Sequence, residues 1–95
     1  MINIEARHLK ILRDILSKVG VSFYVFGSRA KGTNRKFSDL DLIYKEPIDI
    51  GSLGDIRYQL EESNLPYKVD IINYHDCKDS FIDLIKQDLI ELDLK

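Results

Sequence analysis

Cysteine is nearly absent from the 95-residue chain: Cys77 stands alone, so neither an internal disulfide nor a cysteine metal knot can staple the fold. Long hydrophobic runs are absent too. No stretch approaches the ~20 apolar residues of a membrane helix, which excludes a helical membrane span. The opening MINIEARHLKILRDIL has no apolar core beside a small-residue cleavage site, so a cytoplasmic location is the expectation. Nor is there an excess of positive charge. With 14 Lys+Arg against 16 Asp+Glu the formal charge is −2, whereas a domain that grips a polynucleotide backbone is usually basic. A nucleic-acid partner is therefore not expected. Two prolines, no repeat and no low-complexity tract leave no linker between domains. The chain reads as one domain, residues 1–95, small but able to bury a core.

What is present alternates between helical and strand periodicity. Leu9, Leu12, Ile15, Leu16 and Val19 fall at helical spacing before Gly20, a natural stop. Residues 21–26 are β-branched and aromatic and end at Gly27, as a buried strand does. Ser28 is placed to cap a short helix reaching roughly Gly32, and a polar connection leads to a second strand over 39–44. Leu53, Ile56 and Leu60 predict a helix that stops before Pro66, and 67–74 predict a third strand. Phe81, Ile82, Ile85, Leu89 and Leu92 predict a last helix, with Asp76 or Asp79 as its cap. The apolar set on that helix is broader than one stripe needs, which suggests a second buried face and a protein interface. The fold class expected is α/β, a small three-stranded mixed sheet with helices on one face.

The chemistry concentrates in a string of fifteen residues, GSRAKGTNRKFSDLD, from Gly27 to Asp41. On a strand, Asp39 and Asp41 project to one side and Leu40 and Leu42 to the other. Two carboxylates side by side raise each other's pKa unless a cation lies between them, and carboxylates plus water are what Mg²⁺ prefers. Asp70 is the lone acid between Val69 and Ile71, so it faces away from that apolar pair. If its strand neighbours the second, three carboxylates converge and could hold two Mg²⁺, the arrangement that clamps both oxygens of a phosphoryl displacement. Gly27 and Ser28 supply the complement. Glycine admits a phosphate close to the backbone, and amides at a helix start bind its oxygens. Arg29 and Lys31 add positive charge nearby.

Gly-Ser, ten residues, then Asp-x-Asp, here Gly27-Ser28 and Asp39-Leu40-Asp41, arises by chance in such a chain with odds on the order of 10⁻³. It resembles the hallmark of the DNA-polymerase-beta-like nucleotidyltransferases, and the length is similar to their minimal, MNT type. That resemblance implies a polymerase-beta palm-like nucleotidyltransferase fold. It also implies that Asp39 and Asp41 ligate both Mg²⁺ ions, that Asp70 completes the ion activating the acceptor hydroxyl, and that Gly27-Ser28 hold the triphosphate of ATP. Relatives of this size commonly accompany a helical HEPN ribonuclease toxin, in some cases neutralising it by adding AMP to a tyrosine. The resemblance thus implies a protein adenylyltransferase acting as an antitoxin, in a homo- or hetero-oligomer. Acceptors that need a second domain, such as an aminoglycoside, a tRNA end or a DNA template, are not expected.

Plainer roles account for other residues. Arg35 and Lys36 read as a solvated loop. His8 and His75 have no second metal-ligand neighbour at useful spacing, and Asp70 could pair with Lys68 or Lys45 as a surface ion pair. Two other functions fit the sequence: an antitoxin that masks its partner without catalysis, and a small-molecule nucleotidyltransferase completed by a second subunit.

Overall fold

A computed structural model describes residues 2 and 4–94; residues 1, 3 and 95 of the expected domain lie outside the described residues. Helix α1, Ala6–Leu16, continues into a 3₁₀ turn, Ser17–Val19, and stops at Gly20, whose φ of 66° is the left-handed cap a helix end favours. Strand β1 is Tyr24–Phe26, helix α2 Ser28–Lys31, strand β2 Leu40–Tyr44, helix α3 Ile50–Glu61, strand β3 Val69–Asn73, helix α4 Asp79–Ile85 and strand β4 Ile90–Glu91. Two glycines do not prevent α3 from forming. Its start is fixed by Asp49, whose carboxylate accepts from the Ser52 amide at 3.0 Å and the Ser52 hydroxyl at 2.7 Å.

The sheet is mixed, in the order β3-β2-β1-β4. Strands β2 and β3 run parallel, while β1 is antiparallel to both β2 and β4. Alternation sorts its side chains onto two faces. Val25, Leu40, Leu42, Tyr44 and Ile71 pack with Leu12, Ile15 and Leu16 of α1 and Ile56 and Leu60 of α3. Leu12, Leu16, Phe23, Val25, Leu40 and Leu42 are fully buried, each contributing roughly 1.5–3 kcal/mol. On the other face, Phe26 and Ile43 pack with Ile82 of α4, flanked by Tyr24, Ile72 and Phe81.

The α/β class and mixed sheet are as the sequence predicts, with differences at the C-terminus. The sheet has four strands, not three, and α4 covers part of the second face. The predicted last helix ends at Ile85 and the chain turns back to pair with β1. Leu92 is 3% exposed and its amide donates to the Phe23 carbonyl at 2.8 Å. Leu89 and Leu92 fit a helical period, but pairing satisfies backbone groups on β1 that would otherwise stay open. The broad apolar set is thereby absorbed into the fold, with Leu84 left 76% exposed. Neither Asp76 nor Asp79 caps α4: its N-cap is Lys78, which makes no side-chain cap bond.

Candidate active site

Strand β1 ends at Phe26 and the chain turns sharply at Gly27, φ 75° and ψ −154°, a region that only glycine enters freely. Gly27, not Ser28, is the N-cap of α2, so no side chain caps this helix at that position. Ser28 is instead the first helical residue, where backbone amides have no partner within the helix. The turn brings the Gly27 Cα against Asp41. A β-carbon there would stand 2.6 Å from Asp41 Oδ2, closer than such atoms approach. Gly27 therefore packs against Asp41 directly, a contact that the motif's spacing did not reveal.

Strand register brings the acids together. Phe26 lies opposite Asp41 across β1 and β2, and Asp41 lies opposite Asp70 across β2 and β3. Asp41 and Asp70 share the face opposite the α1–α3 core, as alternation predicts. Burial first, and then the charges of Asp70 and Asp39, raise the half-buried Asp41 carboxyl above its ordinary pKa. Both neighbours add to the negative field at Asp41, Asp70 more than Asp39. Asp39 differs in its hold on the sheet. It precedes β2 by one residue and is exposed, so its place depends on the loop before it.

Among the described residues no three His, Cys, Asp or Glu side chains stand together so that they could hold a metal ion. Asp70 meets Lys68 Nζ at 3.3 Å, the pairing that the sequence offered as its plainer role. Both side chains are well exposed, so the pair contributes at most about 1 kcal/mol and yields readily to a divalent ion. The donors fit Mg²⁺ chemically: they are hard oxygens, one is destabilised as an anion by burial and then by its neighbours, and a glycine leaves room for its carboxylate.

Asp41 and Asp70 open onto a cleft of about 750 Å³ whose walls include Phe26, Phe81, Ile72 and Lys68. Phe26 and Phe81 meet edge to face, with ring centres 5.8 Å apart. These wall residues were not legible as a site, because α4 meets the sheet only in three dimensions. Lys31 is exposed at the end of α2, 3.9 Å from Asp88, on the same short helix as Ser28. Arg29 does not join them. Predicted to bind nucleotide, it is 4% exposed; its guanidinium donates to the carbonyls of Ser38 and Lys36 and lies 4.0 Å from the Tyr67 ring centre. The motif's spacing could not separate a cation that points at a ligand from one turned inward.

Residues 10–92 match the family model described as polymerase beta nucleotidyltransferase. The chain is 33% identical over 90 residues to Haemophilus influenzae MntA, described as a protein adenylyltransferase, covering 90% of this chain and 79% of that protein. A crystal structure from Sulfolobus solfataricus, described as a nucleotidyltransferase, aligns over 90% of this chain and 78% of that one at 21% identity and a TM-score of 0.46.

Proposed function

The chain belongs to the polymerase-beta nucleotidyltransferase family, and from that premise we propose that it moves AMP from ATP, with Mg²⁺, onto a tyrosine hydroxyl of a HEPN-type ribonuclease toxin and so acts as its antitoxin. The observation that carries this reading is the contact of Gly27 with Asp41 and the alignment of Asp41 with Asp70. It supports the reading because the glycine turn, the proposed phosphate site, then lies beside two carboxylates that line a cleft. The name of the H. influenzae relative supports a protein as the acceptor.

Asp39, Asp41 and Asp70 would hold the ions, which when bound offset phosphate charge and make the acceptor oxygen a better nucleophile. The chain's own work is alignment. Gly27 and Ser28 orient the triphosphate by backbone amides, with Lys31 as a nearby cation. The acceptor oxygen bonds to the α-phosphorus as the bond to the β-phosphate oxygen breaks. Pyrophosphate leaves, and the hydroxyl proton departs through the carboxylate cluster. The aromatic walls Phe26 and Phe81 suit an acceptor ring.

Mass spectrometry of a co-expressed helical partner tests the reading: a gain of about 329 Da per AMP is expected with wild type, and none with D39A/D41A. A partner that stays unmodified under saturating ATP and Mg²⁺ rejects it. Masking without catalysis drew its support from the apolar excess at the C-terminus, which the core and β4 absorb apart from Leu84.

A further inference from the structure

We infer that Arg29 is a positioning residue, clamping the loop between α2 and β2 so that Asp39 is held against Asp41; what the clamp serves rests on the function proposed above. A guanidinium at 4% exposure carries a desolvation cost that an apolar residue would avoid. Its presence calls for something that only its planar, multi-donor fork can do.

The fork joins all three segments of the site. Arg29 follows Ser28 directly, so its backbone belongs to the glycine turn. Its Nε and Nη2 donate to the Ser38 carbonyl at 3.1 and 2.8 Å, and Nη2 also reaches the Lys36 carbonyl at 3.2 Å. The Ser38 carbonyl and the Asp39 amide share one peptide plane. The bidentate hold on that oxygen therefore fixes the plane from which Asp39 departs. On its other side the guanidinium stacks on Tyr67, 4.0 Å from the ring centre. Tyr67 precedes Lys68, whose carbonyl accepts from the Leu40 amide at 2.9 Å where β2 and β3 first meet. Within the loop, Ser38 is also tied to Arg35, its hydroxyl accepting from the Arg35 amide at 2.8 Å.

Asp39 needs such a clamp and its partners do not. Asp41 and Asp70 sit in register inside paired strands, so the ladder places them. Asp39 lies exposed just outside the ladder: the Leu40 amide anchors the peptide plane after it to the Lys68 carbonyl just before β3, and the plane before it is held only by the loop.

Hydrogen exchange read by mass spectrometry tests the clamp in Arg29→Lys, which keeps the charge and loses the fork. Amides of residues 35–39 are expected to exchange about ten-fold faster or more, with residues 42–44 at the wild-type rate. Mn²⁺ binding, followed by electron paramagnetic resonance, is expected to weaken about ten- to hundred-fold in R29K and R29Q. Exchange at 35–39 within about two-fold of wild type overturns the proposal, as does unchanged Mn²⁺ affinity in folded R29K. Exchange rising equally at 42–44 assigns Arg29 to general stability and overturns it too. If wild type itself takes up no Mn²⁺, the proposed function fails, and the exchange experiment still decides the clamp.

Discussion

Gly27 and Asp41, fourteen residues apart in sequence, are in contact: a β-carbon on Gly27 would stand 2.6 Å from the Asp41 carboxylate. Two separate demands fall on this glycine, a positive φ of 75° and an empty space beside an acid. They can be told apart, because Gly32 has nearly the same φ, 76°, and open space around it.

Gly27→Ala is expected to cost about 1–3 kcal/mol for its backbone alone, to displace the Asp41 carboxylate and to abolish Mn²⁺ binding. Gly32→Ala should lose about 1–2 kcal/mol and keep the metal. Thermal denaturation together with Mn²⁺ titration separates the two, and equal metal affinity in both variants would contradict the contact.

The raised carboxyl of Asp41 makes metal-free stability depend on pH. A carboxyl whose folded pKa lies above its unfolded value stabilises the fold while protonated, below about 4. That contribution is lost as pH rises through the folded pKa, leaving an anion beside Asp70 and Asp39. Asp41→Asn should therefore melt higher than metal-free wild type at neutral pH, with the gap closing as pH falls below the carboxylate range. Mg²⁺ should raise the wild-type melting temperature and leave the variant's unchanged. Calorimetry across pH, with and without Mg²⁺, checks both statements.

Asp70 and the nucleotide turn should separate functionally. Asp70→Asn removes a carboxylate at the cleft and frees Lys68 from its 3.3 Å pair, while leaving Gly27 and Ser28 intact. AMP transfer is expected to fall by about 100-fold or more, with ATP binding retained. Calorimetric titration with a non-hydrolysable ATP analogue reads the binding half, and parallel loss of both would contradict the division.

The C-terminal residues are core, not appendage. Leu92→Ala and Ile82→Ala should each cost about 2–5 kcal/mol, because both side chains are at least nine-tenths buried. Leu84→Ser, at an exposed site on the same α4, should stay within about 0.5 kcal/mol. Urea denaturation of the three variants tests whether the chain closes through β4.

Much of this protein follows from local rules that its sequence obeys unaided. Gly20 and Pro66 mark where elements end, period-two alternation puts Asp41 and Asp70 opposite the core, and the Gly-Ser to Asp-x-Asp spacing carries the resemblance to the nucleotidyltransferases. Such features depend on neighbours a few residues apart, where chain geometry is nearly independent of the rest of the fold. Tertiary structure alone decided what depends on partners distant in sequence. Leu89 and Leu92 satisfy a helix or a strand equally well until the free edge of β1 needs pairing. Arg29 reads as a phosphate ligand until the carbonyls of Lys36 and Ser38 and the ring of Tyr67 surround it. Gly27 could bound a phosphate gap in the sequence, and only the register of β1 with β2 sets it against Asp41, because strand pairing rather than residue type brings those two backbones within contact.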